Sequence, residues 1–407
     1  MLLEYGHFSV FKSGISKIMN KPKLIRVTTV SKSLRRLLKG QLNYMNCNGF
    51  NVIAIANPDE FMSEVEKFEN VPTYKVEMFR GINILQDVKS IWKLYKIFRK
   101  EKPDIVHTHT PKAGFVGVLA AYFARVPIRF HTVAGLPLME SKGIKREILN
   151  FVEKLNYRLA TKVYPNSENL KKFIIEEKFA SSNKLKVIGH GSSNGIDTSE
   201  FDPKIISNQK KEKIRENLSL SKNDFVFLYV GRLMKDKGVN ELIQAFFEFS
   251  KYHKDVRLIL AGDNDNNTNP LLPQTLKVIN NHHQIHHVGY VNNIVDYFAL
   301  ADVFVFPSYR EGFPNVILQA AAMQLNAIVT DINGSNEIIK DKKNGFIVPL
   351  KNAKKIEEKM LWCYENKETS QKMGLKSRQI IIDKFERRAL WKLIKNEYQT
   401  ELNKTNV

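Results

Sequence analysis

The 407-residue sequence predicts an α/β protein built from two doubly wound parallel-sheet domains that face each other across a cleft. Three observations predict it. Short β-branched runs alternate with longer segments of helical period, a turn-rich charged stretch interrupts the alternation near the middle, and the alternation then restarts. Length agrees, since a chain beyond about 250–300 residues divides its core between domains. Apolar residues make up 43% of the chain, enough for two cores.

The first half opens with KLIRVTTV, then helical SLRRLLKGQLNYM and the run FNVIAIA. DIVHTHT, the helix KAGFVGVLAAYFARV, PIRFHTV and the long helix IKREILNFVEKLNYRLATK follow, then KVYPNS, another helix and KLKVIGHG. Continuous apolar runs mark strands buried on both faces, and helical crossovers are what parallel pairing requires. NGIDTSEFDPKIISNQKKEK reads as a linker. Beyond it come FVFLYVGRL, VNELIQAFFEFS, VRLILAG, a helix and IHHVGYV. IVDYFALA, VFVFP, VILQAAAM, AIVT and GFIVP complete a second Rossmann-like unit, and the tail after about residue 352 is helical. The divisions expected are an N-terminal extension (1–21), a first domain (22–205), a second (206–380) and a C-terminal helix (381–407) packing back toward the first domain.

The formal net charge is +21, and it is uneven: residues 1–200 hold 32 Lys and Arg against 18 Asp and Glu, leaving +7 for the rest. Such a surface attracts nucleic acid, an anionic bilayer or phosphorylated small molecules. No recognised nucleic-acid module accompanies the charge, so nucleic acid is not an expected partner. Two distant cysteines, Cys47 and Cys363, exclude a disulfide framework and fit a reducing compartment. No run approaches the roughly 18 apolar residues of a membrane span. The opening MLLEYGHFSVFKSGISKIMNKPKLIRV carries Glu4 and lacks a secretory pattern, which predicts a cytoplasmic location.

The chemistry concentrates in SYREGFPNVILQA, residues 308–320. Strand VFVFP should end where ligands bind, with a helix starting near Asn315, whose free N–H groups and dipole suit a phosphate. Gly312 lets backbone approach a ligand closely, Pro314 suits the helix entry, and Glu311 can accept hydrogen bonds from sugar hydroxyls without a metal. A second strand end, VGRLMKDKG, offers Gly231, Arg232 and Lys237, with Gly238 opening a helix. Arginine supplies a planar fork for phosphate oxygens and lysine a point charge. Either loop alone reads as an ordinary turn. Together, on one sheet, they describe a diphosphate site.

Histidines give weaker signals. HTHTPK places His107 and His109 on one face of a strand end, with Lys112 beyond, and no further zinc ligands stand near. His109 and Lys112 are expected to face the cleft; the family resemblance given below makes them acceptor contacts. NHHQIHHVG is read as surface or edge histidines, because IHHVGYV is a strand. No metal site is expected.

VGRLMKDKG, HHVGYV, FVFPSYREGFPNVILQA and VTDINGSNEIIKDKKNGFIVP, in this order and spacing, resemble the C-terminal domain of the retaining glycosyltransferases of family 4, which have the GT-B fold. IVHTHTPKAGFVGVLAAYFARVPIRFHTVAGLP and YPNSENLKKF resemble the members that build bacterial surface polysaccharides and lipid-linked oligosaccharides. The resemblance covers about residues 22 to 350. It implies transfer of a hexose or N-acetylhexosamine from a nucleotide diphosphate-sugar, a UDP-sugar first and GDP next, without a metal or other cofactor. The acceptor would be a polyprenyl-diphosphate-linked sugar or glycan.

By the same resemblance Arg232 and Lys237 are the diphosphate-binding pair, and Glu311 contacts the donor sugar's hydroxyls. Gly231, Val291, Gly312, Phe313, Pro314 and Asn315 belong to the donor site, and His131 reaches the sugar near the reacting carbon. One position departs from the pattern: the second acid of the glutamate pair is here Gln319, which keeps an acceptor oxygen for the ribose. The usual glycine pair of the first loop is also replaced, with Lys32 and Ser33 as candidate acceptor contacts. A GT-B UDP-sugar epimerase and a catalytically silent binding scaffold remain as alternatives. Basic outer faces on residues 33–45 and 87–102, with the charge excess, predict a peripheral enzyme on the inner face of the cytoplasmic membrane.

Overall fold

The computed structural model describes residues 21–79, 81, 83–136, 138, 141–265 and 269–405. In the first half β1 (Lys23–Val30), α1 (Ser31–Leu37), α2 (Gln41–Cys47), β2 (Asn51–Asn57), α3 (Met62–Glu69) and β3 (Thr73–Lys75) come first. They are followed by α4 (Ile84–Glu101), β4 (Ile105–His109), α5 (Pro111–Phe123), β5 (Ile128–Val133), α6 (Gly143–Leu159), β6 (Lys162–Pro165) and α7 (Glu168–Glu176). The six strands form one parallel sheet in the order β3-β2-β1-β4-β5-β6.

The second half contains α8 (Asn208–Asn217), β7 (Phe225–Val230), α9 (Val239–Ser250), β8 (Val256–Ala261), α10 (Pro273–Asn281) and β9 (Ile285–Gly289). Next are α11 (Ile294–Phe298), β10 (Val303–Phe306), α12 (Asn315–Ala322), β11 (Asn326–Thr330), α13 (Ser335–Ile338) and β12 (Gly345–Val348). Three helices close the chain: α14 (Ala353–Glu365), α15 (Lys367–Phe385) and α16 (Arg387–Thr405). This sheet runs β12-β11-β10-β7-β8-β9, the same order as the first when its strands are renumbered from one.

Local chemistry sets the boundaries. Asn83, Ser167, Ser207 and Asn352 each accept a hydrogen bond from a backbone N–H in the first turn of the helix that follows. Central strands β4, β10 and β11 are buried along their whole length, as parallel sheets covered on both faces require. In the second core Phe227 packs edge-on against Phe246 and Phe249, joining β7 to α9.

α16 packs back on the first sheet: Leu390, Ile394 and Tyr398 share a buried cluster with Leu24, Phe130 and Tyr164. The chain thus crosses between the sheets twice, and the crossings are tied together. Ile196 N donates to Phe385 O (2.9 Å) and Arg387 N to Ile196 O (2.9 Å).

Three expectations are corrected. SLRRLLKGQLNYM is two helices, not one, because Gly40 turns the chain at φ +80° and a buried acid, Glu69, accepts from Gly40 N (2.6 Å) and Asn43 N (3.0 Å) at the start of α2. KLKVIGHG does not become a seventh strand; only Leu185 forms a single bridge, to Val163. The second half of the linker folds as α8, capped by Ser207. The histidines of IHHVGYV do lie on an edge strand, β9.

Candidate active site

Open parallel sheets bind ligands beyond the carboxyl ends of their strands, where successive crossovers leave on opposite sides. In the second sheet that point lies between β7 and β10, which are paired neighbours. The two loops singled out by sequence, 231–238 and 307–314, both leave from it. Gly238 adopts φ +68°, and a Cβ there would stand 2.0 Å from Pro307 O, so only glycine lets the loops touch. Tyr309 N donates to Asp236 O (2.9 Å), and the Arg310 guanidinium donates to Asp236 Oδ2 through Nε (3.1 Å) and Nη2 (2.7 Å).

Within this frame Lys237 Nζ donates to Glu311 Oε1 at 2.5 Å, and Ser308 Oγ donates to the same oxygen at 3.1 Å. Both charged side chains are largely sheltered. Arg232 lies at the mouth, with 61% of its side chain exposed and Nη1 donating to Asp265 Oδ2 at 2.6 Å.

A cleft of about 1090 Å³ runs between the domains. Gly231, Arg232, Val291, Asn315 and Gln319 line it from the second domain, and Lys32, Arg35 and Arg36 of α1 line it from the first. Arg36 Nη2 donates to Tyr290 OH (2.7 Å) across the gap. Six cations and four acids line this volume, and the basic cluster on α1 and Arg232 suits a phosphorylated small molecule better than an apolar ligand.

The domains also touch directly beside Glu311. A Cβ on Gly312 would fall 1.7 Å from Ala134 O of the first domain, so bare backbone meets bare backbone. Asn333 Nδ2 donates to Gly312 O (2.7 Å) and Glu311 O (3.3 Å), while its Oδ1 accepts from Ser167 Oγ (2.9 Å) of the first domain. Glu337 accepts from Glu168 N (2.9 Å) and Asn169 N (3.1 Å), placing a carboxylate of one domain on the first turn of α7 in the other.

His131 sits at the end of β5, three residues before Ala134, and is 2% exposed. Its Nδ1 lies 2.9 Å from Thr108 Oγ1, and burial pushes its pKa down to about 4, so the ring is neutral near pH 7.

The structure therefore brings Lys237 and Glu311 into contact and sets Arg232, Gly231, Val291, Asn315 and Gln319 on one cleft. Other expectations differ in placement. His109 does not face the large cleft: it is 1% exposed in a buried polar network with Arg26. Lys112 is neutralised by Asp87, whose two oxygens accept from Nζ at 2.8 and 2.6 Å. Ser33 is outside the cleft lining and its carbonyl accepts from Leu38 N (3.2 Å), whereas Lys32 lines it. The Phe313 ring is core, packed on Phe385 at 5.6 Å between centroids, with Pro314 beside it as the residue preceding α12.

Sequence reading missed Asp236, Asp265, Asn333 and Glu337, because a surface acid or amide carries no sign of the partner it will meet. Thr110 was missed too. It holds φ +73° and ψ 146°, rare for a β-branched residue, fixed by hydrogen bonding of its Oγ1 with Thr29 N (3.1 Å) and Oγ1 (2.6 Å). The signal for it was only HTHTP, a strand running straight into proline. Among the described residues no group of three or more His, Cys, Asp or Glu is placed to hold a metal ion.

Two facing Rossmann-like units enclose a polar cleft, with an acid beside a lysine at the switch point of the second sheet, the place where such sheets bind ligands. Residues 210–380 match the family described as Glycosyl transferases group 1, and residues 45–191 match the Glycosyl transferase 4-like domain. The chain is 32% identical over 387 residues to the capsular polysaccharide biosynthesis glycosyltransferase CapM of Staphylococcus aureus, covering 95% of this chain and 99% of that protein. It is 35% identical over 291 residues to the Escherichia coli UDP-Gal:alpha-D-GlcNAc-diphosphoundecaprenol alpha-1,3-galactosyltransferase, covering 69% of this chain and 70% of the relative. In fold it matches Anabaena HepE in complex with UDP (TM-score 0.77, 18% identity, 93% of this chain and 100% of that one). It likewise matches a glycosyltransferase from Rickettsia africae (TM-score 0.78, 21% identity, 94% and 99%). The chain belongs to glycosyltransferase family 4 and has the GT-B fold.

Proposed function

We propose that this glycosyltransferase moves a hexose or N-acetylhexosamine, with retention of anomeric configuration, from a nucleotide diphosphate-sugar to a lipid-linked or polysaccharide acceptor in cell-surface glycan synthesis. The observation that carries the reading is the Lys237–Glu311 contact between the loops that leave β7 and β10, with Arg232 of the first loop lining the cleft. Its cations suit a diphosphate and its acid suits sugar hydroxyls. The relatives support the rest: one is named for capsule synthesis, another for UDP-Gal and a diphosphoundecaprenol-linked acceptor.

In this reading the bond from the anomeric carbon to the diphosphate oxygen breaks as the acceptor hydroxyl oxygen bonds to that carbon from the same face. The acceptor's proton passes to the departing diphosphate. Arg232 and Lys237 meet the charge that develops on it, the term expected to dominate the acceleration, and no metal is needed. His131, buried and neutral, adds no charge of its own to theirs.

The test is a transfer assay with UDP- and GDP-sugars against a polyprenyl-diphosphate-linked monosaccharide, with and without EDTA, and NMR assignment of the new linkage. An α-linked product from an α-linked donor, undiminished by EDTA, is expected. Sugar released or isomerised equally well without acceptor would make the chain an epimerase.

A membrane surface is the proposed place of work. No described helix is long and apolar enough to cross a bilayer. Instead α5 packs between α4 and α6, which leave Ile84, Leu85, Val88, Trp92, Ile144 and Phe151 exposed. Ile84, Leu85, Val88 and Ile144 sit near the helix N-termini, which in a parallel sheet lie at the carboxyl, cleft-facing end of the strands, while Trp92 and Phe151 lie midway along α4 and α6. Exposed Lys89, Lys93, Lys142 and Lys145 stand among them. Apolar anchors ringed by lysine fit an anionic bilayer. The stretch 33–45 does not share this role, since Arg35 and Arg36 line the cleft. Binding to vesicles containing phosphatidylglycerol but not to pure phosphatidylcholine, lost in L85D/I144D, is expected; equal binding to both would contradict it.

A further inference from the structure

Arg26 occupies the middle of β1 and is 1% exposed. Its Nη1 donates to Tyr398 OH, and Nη2 donates to Gln41 Oε1 (2.6 Å) and His109 Nε2 (2.7 Å). All these partners are neutral. Among the described residues the direct partners of the guanidinium include no carboxylate, buried Glu69 acting on it only through space, and its Nε has no hydrogen-bond partner. An arginine cannot shed its proton, and a buried unpaired charge is among the most destabilising features a fold can carry.

The same guanidinium fixes the protons around it. Because Nη2 can only donate, His109 Nε2 must accept, and the ring proton is on Nδ1. Tyr398 OH, which accepts from Arg26, is also hydrogen-bonded to His107 Nδ1 (2.6 Å), and His107 Nε2 is hydrogen-bonded to Thr132 Oγ1 (2.8 Å). Burial and the Arg26 charge hold both histidines neutral, well below their usual range. The hydrogen-bonded network contains one positive charge, and the buried Glu69 carboxylate acts on it through space without a direct contact.

Arg26, His109, Ser193 and Asn166 line one small cavity of about 20 Å³, with Gln41 and Thr132 also in its wall. Each of the first four keeps one buried polar atom without a partner: Arg26 Nε, His109 Nδ1, Ser193 Oγ and Asn166 Oδ1. The first three carry hydrogens to give. Turning the Asn166 amide over, a change of assignment only, makes the fourth a donor as well. Donors, a positive charge and room for about one water-sized particle converge here.

We propose that this cavity binds a monatomic anion, chloride in the cell, as a structural ion of the first domain. Orthophosphate and the diphosphates of donor or acceptor are too large for it. The ion neutralises Arg26 and joins three parts of the chain: β1, the C-terminal helix through Tyr398, and the loop at Ser193. That loop borders the large cleft, since Gln41 Nε2 donates to Ser193 O (3.1 Å) and to Asn194 Oδ1 (2.9 Å), and Asn194 is in the cleft wall.

Thermal unfolding of the full chain in chloride against gluconate, at constant ionic strength, tests it. A ligand bound only by the folded state raises Tm with concentration, here by about 2 °C per tenfold increase in chloride. Crystals soaked in bromide should give an anomalous peak within bonding reach of Arg26 Nε. Arg26→Met should lose the dependence, and if it fails to fold, Ser193→Ala should weaken it. Equal Tm in the two salts together with no anomalous peak in the cavity would overturn the proposal, whatever the variants do.

Discussion

Lys237 Nζ and Glu311 Oε1 are 2.5 Å apart although 74 residues separate them, one leaving β7 and the other β10. The contact exists because adjacent parallel strands end together and Gly238 lets their loops touch. On the proposed function, a diphosphate entering the site would compete with Glu311 for the ammonium group, and sugar hydroxyls with Lys237 for the carboxylate. The pair would then keep each group oriented until a donor takes both.

Lys237→Ala should lower turnover by about 10²–10³-fold at saturating donor, the usual effect of removing one fixed donor to developing charge. Its far-UV circular dichroism should match the parent, because the side chain is loop-borne and its loss leaves the β7 core untouched. Transfer at the parental rate by that folded variant would contradict the assignment.

Fold class was legible because FVFLYV, VFVF and NAIVT are buried over nearly every residue, and such runs have few other uses. The donor loops were legible because glycine, arginine, lysine and glutamate cluster at strand ends. Their counterparts were not. Asn333, Glu337 and Asp236 act through contacts made only after two distant segments meet. Gly40 shows the limit on helices: its left-handed turn needs Glu69 and Trp391 in place, which no local pattern contains. Arg26 was invisible for the same reason, reading as one charged residue within a strand.

Gly312→Ala should act through geometry. Its Cβ would overlap Ala134 O at 1.7 Å, and neither backbone can yield without moving a domain. Transfer should fall at least about tenfold, since positioning errors of an ångström are costly. UDP should still raise Tm, because the second domain is intact. Parental transfer in this variant would show that the closed contact is unnecessary for the reaction.

Acid should destabilise the protein before its surface carboxylates titrate. His107 and His109 are held well below their usual range and His131 is pushed down to about 4, in each case chiefly by burial. Unfolding lets all three take up protons, so their stabilisation is present above about pH 6.5 and is lost as pH falls toward 4. Glu153 works against them. Burial pushes it up to about 7, so its contribution is present below about pH 4.5 and is lost as pH rises through 7. Tm measured from pH 8 to 5 should therefore fall more steeply in Glu153→Gln than in the parent, from a higher starting value at pH 8. A parallel pair of curves would refute the raised ionisation of Glu153, and a parent Tm that does not fall as pH drops below about 6.5 would refute the depressed histidines.

Gln319 offers a change that should improve binding. It lies on α12 with its residue in the cleft wall, one helical turn beyond Asn315. As an amide it gives ribose hydroxyls a neutral acceptor; a carboxylate in its place accepts charge-assisted hydrogen bonds, roughly twice as strong. Arg232 and the basic wall of α1 offset the added negative charge against the diphosphate. Gln319→Glu should lower the KM for the nucleotide-sugar about three- to tenfold with kcat nearly unchanged, because the ribose is held equally in ground and transition states. Steady-state kinetics over a donor series, compared with free UDP as inhibitor, checks this. UDP should tighten by the same factor as the donor; an unchanged UDP affinity would place the ribose elsewhere in the cleft.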